Sequence, residues 1–194
     1  MLIPRPDTEL LAELALHYAL PDTHLLDLGT GSGAIAIAVS KQRPDLHVWA
    51  GDVSQAALTV ARGNAETHHC TIHFIHSDWY RQLPDIRWHT IVSNPPYIAD
   101  NDPHLSQGDL RFEPINALTD HADGLSAYRI LIAGATSRLH AQGWLLLEHG
   151  YDQAEAVRHL LLEYGFEQVQ SWRDISGTER VSGGQRCVLT DGQI

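Results

Sequence analysis

The 194-residue chain carries 24 Asp and Glu against 13 Lys and Arg, a formal net charge of −11, with 43% hydrophobic and 19% charged residues. One domain of this length buries roughly 70% of the surface its unfolded form exposes, and the acid excess argues against a face built to neutralise a phosphate backbone, which needs clustered Lys and Arg. Two cysteines, Cys70 and Cys187, make no disulfide framework, and no run reaches the roughly 18 apolar residues of a membrane span.

Residues 1–7 hold no apolar core behind a basic stretch, so a cytoplasmic protein in a reducing compartment is expected. Leu10, Leu11, Leu14 and Leu16 recur at helical steps, predicting an amphipathic helix over 8–20, entered at Pro6 and Asp7. The short apolar run 24–28 ends in glycines and predicts the first strand. Small apolar residues over 33–42 predict a helix packed closely on a sheet, and 47–52 the second strand. Ser54 suits the cap of a helix running to about Ala65. Residues 71–76 and 88–93 read as strands three and four.

A long irregular stretch, 95–124, follows, of a length that is usually functional within a compact domain. A helix is expected over 126–139, a fifth strand over 143–148 and a helix over 153–163. Residues 166–172 and 185–189 are expected to close the chain as a hairpin around Gly177 and a turn at Gly183-Gly184. Strands alternating with helices specify an α/β fold, doubly wound on a mostly parallel seven-stranded sheet with a C-terminal antiparallel hairpin. Ligands of such sheets bind beyond the carboxyl ends of the strands. Thirteen histidines invite a metal hypothesis, with His68-His69-Cys70 the densest group, but no metal-ligand spacing repeats. No metal is expected, and solvated loop histidines are the expectation.

Two motifs fall at that end of the sheet. The turn after strand one reads Asp27-Leu28-Gly29-Thr30-Gly31-Ser32-Gly33-Ala34. Its glycines permit unusual backbone angles and close ligand approach, and the following helix offers unpaired N–H groups. Asp52 lies 19 residues beyond Gly33, at the end of strand two, where a carboxylate can accept both hydroxyls of a ribose. The loop alone fits either S-adenosylmethionine or a nicotinamide dinucleotide. Asp27 favours the former, being better placed for an ammonium than for a pyrophosphate. Asp78 and Trp79 after strand three add an acid and a ring for adenine, Trp79 being equally suited to core packing.

Strand four ends in Asn94-Pro95-Pro96-Tyr97. The prolines remove two backbone donors and stiffen the chain, leaving carbonyl acceptors in fixed positions, and the Asn94 side-chain oxygen adds another. Such a set can take both hydrogens of an –NH2 group while Tyr97 stacks on the attached π-system. A planar nitrogen is a poor nucleophile because its lone pair is delocalised. Holding both N–H bonds aims it at an electrophilic methyl group and favours the positive charge developing on it. Asn94, Pro95 and Tyr97 are therefore the expected catalytic residues, with Pro96 completing the substrate grip. Asn-Pro as a plain turn opener is the bland alternative.

On these motifs the chain resembles bacterial release factor glutamine methyltransferases, the HemK-like protein-(glutamine-N5) methyltransferases. The likeness runs from Leu2-Ile3-Pro4-Arg5-Pro6-Asp7-Thr8-Glu9 through the glycine loop, Ser77-Asp78-Trp79 and the tetrad to Arg111-Phe112-Glu113-Pro114 and Leu146-Leu147-Glu148-His149-Gly150. It implies a class I, Rossmann-like methyltransferase domain spanning residues 1–194, without the family's preceding helical docking domain. It implies that Asp27, Gly29, Thr30, Gly31, Ser32, Gly33, Asp52, Asp78, Trp79 and Asn94 hold S-adenosylmethionine. The tetrad would hold the glutamine of a Gly-Gly-Gln loop in peptide chain release factors, with no membrane or nucleic-acid partner.

The alternatives are an adenine N6 or guanine N2 amino methyltransferase, which shares the tetrad, a nicotinamide-dependent oxidoreductase, and an idle binding module. The roles of Arg5, Glu113 and Glu148 are left open.

Overall fold

The computed structural model describes residues 6–97 and 123–187. In chain order the elements are α1 (Pro6–Tyr18), β1 (His24–Leu28), α2 (Ala34–Gln42), β2 (His47–Asp52), α3 (Gln55–Thr67), β3 (His73–His76) and β4 (Trp88–Ser93). They continue with α4 (Ser126–Arg138), β5 (Leu139–Glu148), α5 (Ala154–Glu163), β6 (Phe166–Arg173) and β7 (Glu179–Arg186). One seven-stranded sheet has the order β3-β2-β1-β4-β5-β7-β6. Strands β1 to β5 pair in parallel, and β7 runs antiparallel to both β5 and β6. The chain winds outward from β1 in both directions, so the carboxyl ends of β1 and β4 lie side by side at the switch point.

The central strands carry apolar residues towards both faces because both are covered. Leu25, Val92 and Leu146 face α1 and α2, meeting Leu11, Ala15, Ala36 and Val39. Their neighbours Leu26, Ile91, Leu145 and Leu147 face α4 and α5, meeting Leu131, Ile132, Val157 and Leu161. The Ser54 hydroxyl accepts from the Ala57 amide at 3.2 Å and starts α3 as its cap position requires. Among the described residues no helix is long and apolar enough to cross a membrane.

Several boundaries differ from the sequence pattern, among them that of the last strand, which spans Glu179–Arg186 rather than 185–189. Helix α1 stops at Tyr18, two residues early, because Pro21 biases Leu20 out of helical geometry. Strand β3 begins at His73, two residues later than the pattern, its first pairing being with Trp49 of β2. Strand β5 begins at Leu139 rather than 143; Leu139 pairs with Trp88, the register then shifts, and Gln142 takes a φ of 64° before Trp144 pairs with Thr90. Gly183 and Gly184 are not a turn but lie in the middle of β7. A Cβ on Gly183 would come 2.5 Å from the Leu145 carbonyl oxygen and 2.8 Å from Leu146 Cδ2. This glycine serves close strand packing, and the reversal between β6 and β7 falls at residues 174–178, with Gly177 at φ 84°.

Several histidines also lie elsewhere than in loops. His47, His24, His89 and His140 sit on β2, β1, β4 and β5 near the end of the sheet opposite the switch point. Ring centroids are 4.9 Å apart for His24 and His47, and 4.1 Å for His89 and His140. Among the described residues no group of three His, Cys, Asp or Glu side chains gathers where a metal could be held.

Candidate active site

The turn from β1 into α2 places Gly29, Gly31 and Gly33 at φ values of 72°, 57° and 83°, all in the left-handed region. The Gly29 and Thr30 amides donate to the Gly51 carbonyl at 2.8 and 3.0 Å, tying the loop to β2. Asp52 completes the brace: Oδ2 accepts from the Gly31 amide at 2.9 Å and Oδ1 from the Ser54 amide at 2.8 Å. The Ser32 carbonyl accepts from Asn64 Nδ2 at 3.0 Å. A Cβ on Gly33 would lie 3.1 Å from Ala61 Cβ, so α3 closes that side, whereas one on Gly31 would meet open space. The loop is a preformed cradle open in front of Gly31.

Beneath it lies Asp27, buried at the end of β1. Its Oδ2 accepts from the Thr30 hydroxyl at 2.6 Å, while Oδ1 has no hydrogen-bond partner among the described residues. Burial pushes its carboxyl up to about 7; the Thr30 hydroxyl and the Ala36 amide pull the other way, and the negative charge of Asp52 adds to the rise. A buried acid with an unpaired oxygen is costly unless something cationic or donating comes to it.

Trp79 stands beside the loop with φ 49°, its carbonyl accepting from the Ser77 hydroxyl at 2.7 Å. A Cβ on Gly29 would lie 3.8 Å from Trp79 Cζ3 and 4.0 Å from Ser93 Oγ, so β1, β4 and the residues after β3 converge there. Trp79 is half-buried and packs on the α4 side of the core. Asp78 is more peripheral, its carboxylate pairing with Arg81 at 2.8 Å.

At the end of β4 the Ser93 hydroxyl donates to the Leu28 carbonyl at 2.7 Å, joining the two motif-bearing strands. Asn94 Nδ2 donates to Glu148 Oε1 at 2.8 Å, and Asn94 Oδ1 is buried with no hydrogen-bond partner among the described residues. Pro95 is buried, and Pro96 and Tyr97 are half-buried, with Tyr97 packed against the α4-side core. The Tyr97 carbonyl accepts from Gln153 Nε2 at 2.9 Å, and the same nitrogen donates to the Gly124 carbonyl at 3.2 Å. The Gly150 amide fixes Gln153 from the other side, donating to its Oε1 at 3.0 Å.

Glu148, whose role the sequence left open, and Gln153, which no local pattern marked, both meet the tetrad, contacts that depend on how β5 registers against β4. Next to Glu148, the buried His149 ring contacts the Gly150 carbonyl through Nδ1 and Ser182 Oγ through Nε2, each at 2.8 Å. A carbonyl only accepts, so Nδ1 carries the proton and Nε2 accepts from Ser182. Burial lowers the His149 pKa and keeps the ring neutral, with the Gly150 carbonyl opposing. The expected residues Leu2 to Arg5 and Arg111 to Pro114, including Glu113, lie outside the described residues.

The arrangement joins a glycine cradle, the acids Asp27 and Asp52 near the ends of β1 and β2, and the Asn94 oxygen, a buried acceptor with no partner among the described residues, across the switch point. The model of the family described as the methyltransferase small domain matches residues 6–109. The release factor glutamine methyltransferase of Burkholderia pseudomallei (strain K96243) is 53% identical over 194 residues, 95% of this chain and 68% of the relative. That of Bordetella pertussis (strain Tohama I) is 54% identical over 189 residues, 95% of this chain and 69% of the relative. The crystal structure of a release factor-specific protein-(glutamine-N5) methyltransferase from Alicyclobacillus acidocaldarius superposes with a TM-score of 0.59 at 33% identity, covering 96% of this chain and 95% of that one. The chain belongs to the release factor glutamine methyltransferase family.

Proposed function

We propose that this chain transfers a methyl group from S-adenosylmethionine to the side-chain amide nitrogen of the glutamine in the Gly-Gly-Gln loop of peptide chain release factors. The observation that carries the reading is Asn94 Oδ1, a buried acceptor with no partner among the described residues, at the switch point, while its own amide nitrogen is held. A buried oxygen of this kind calls for a donor, and a primary amide supplies one.

The residues present fit the methyl donor. Gly29 to Gly33 would take its methionine part against open backbone, and Asp27 Oδ1 would accept from its ammonium. Asp52 would accept from the ribose with the lone pairs left over from Gly31 and Ser54, and Trp79 would cover the adenine. Asp78 is assigned the adenine amino group, in exchange with Arg81. The donor contributes a methyl group on a sulfonium, electrophilic and open to in-line displacement.

On the substrate side Asn94 Oδ1 and the Pro95 carbonyl accept the two amide hydrogens, and the Tyr97 ring lies on the amide plane. Both acceptors become more favourable as positive charge grows on nitrogen, so they stabilise the transition state more than the ground state. Once methylated, the nitrogen is acidic enough to release its proton to water without a dedicated base.

The test is incubation with methyl-labelled S-adenosylmethionine and a purified release factor, beside a release factor whose loop Gln is replaced by Glu. Label is expected in the first and not in the second, since a carboxylate has no NH2 to hold. Equal labelling of both, or label entering nucleic acid instead, would overturn the reading.

A further inference from the structure

A side-chain amide is nearly symmetric in shape, and a half-turn about χ2 exchanges its oxygen for its NH2 group. At Asn94 that half-turn would be ruinous, presenting two donors to a substrate nitrogen that itself carries two hydrogens. Something must choose the orientation. Resting on the substrate reading above, we propose that Glu148 is a positioning residue that locks the Asn94 amide with Oδ1 towards the substrate.

The placement follows from strand register. Ser93 pairs with Leu147 across the parallel β4–β5 ladder, so Asn94, the first residue after β4, meets Glu148, the last residue of β5. Glu148 Oε1 takes Asn94 Nδ2 at 2.8 Å. As the acceptor in that bond the Glu148 oxygen admits the nitrogen and rejects the oxygen. Glu148 is itself held rigidly. It pairs with Val181 of β7, its carbonyl accepts the Tyr128 hydroxyl at 2.9 Å, and the following amide donates to the Arg180 carbonyl at 2.9 Å. The residue is buried at 1% exposure, a costly place for an acid that only filled space.

Glu148→Gln keeps the shape but can donate as well as accept, so Asn94 becomes free to turn. The expected result is a fall in kcat on the order of 10- to 100-fold, the scale on which outer residues orienting a binding group act. S-adenosylhomocysteine affinity, read by calorimetry, stays within a few-fold of wild type. Glu148→Asp, shorter but still acceptor-only, recovers part of the loss. The reciprocal pair Asn94→Asp with Glu148→Gln restores an acceptor towards the substrate by reversing the hydrogen bond, and is expected to exceed Asn94→Asp alone, which sets two carboxylates against each other. A residue that merely filled space would give no such polarity-dependent rescue.

Wild-type rates in Glu148→Gln, with glutamine still methylated by the wild type, would overturn the positioning role and leave the substrate reading standing. Failure of the wild type to methylate any glutamine would sink the substrate reading itself. Should the variants not fold, hydrogen exchange of the Asn94 side-chain NH2 in the wild type decides the matter. Protection is expected, and exchange at the rate of an exposed asparagine would overturn the proposal.

Discussion

Replacing Asp27 by asparagine is expected to make the ligand-free protein more stable while weakening its hold on the methyl donor. Asp27 is fully buried with one oxygen unpaired among the described residues, and burial raises its carboxyl from 3.8 to about 7. At about 1.4 kcal/mol per pH unit, ionising it in the folded state costs about 4 kcal/mol more than in the unfolded chain. The sign is set by the raised value. The folded state holds the proton more tightly, so stability is full below 3.8, declines as pH rises and is fully lost above about 7. Asparagine keeps an oxygen for the Thr30 hydroxyl and never ionises.

The advantage of Asp27→Asn should therefore be near zero at pH 4 and reach about 2 to 4 kcal/mol at pH 8. Urea unfolding at several pH values reads this directly. With a slope of about 2 kcal/mol per molar, the midpoint at pH 8 moves up by about 1 to 2 M. S-adenosylhomocysteine affinity should drop in the same variant. A midpoint difference that does not grow with pH, or a variant less stable than wild type at pH 8, would refute the reasoning.

Three further outcomes follow from the site and the sheet. Asn94→Ala should abolish transfer yet leave S-adenosylhomocysteine affinity within a few-fold, checked by label incorporation and calorimetry on one preparation. Asp52→Ala should weaken that affinity by about 1–3 kcal/mol, and because it also frees the Gly31 and Ser54 amides it should speed hydrogen exchange at both. His24 and His89 are pushed below the usual value of 6.5, first by burial and then by neighbouring histidines; stability is present above 6.5 and lost as pH falls. His89→Gln should accordingly lose less melting temperature between pH 7 and pH 5 than wild type.

Much of this molecule was legible before its coordinates. Runs such as 24–28 and 88–93 carry apolar residues towards both helical layers, and glycines, a cap and an acid mark the two strand ends where ligands gather. What local pattern missed is non-local. The pair at Gly183-Gly184 suits a turn or a tight strand equally, and only the approach of Leu145 and Leu146 decides. The early start of β5 depends on Trp88 finding Leu139 across the sheet. The histidine row arises because four strands begin at one level. Glu148 and Gln153 act through neighbours 54 and 56 residues away, separations at which no spacing rule operates.

The measurement that bears most directly on the account is a crystal structure of this chain with S-adenosylhomocysteine and a Gly-Gly-Gln peptide. The glutamine amide nitrogen is predicted within hydrogen-bonding distance of Asn94 Oδ1, between it and the ligand sulfur, with Asn94 Nδ2 still on Glu148. A glutamine bound elsewhere, or an Asn94 that turns its nitrogen to the peptide, would contradict it.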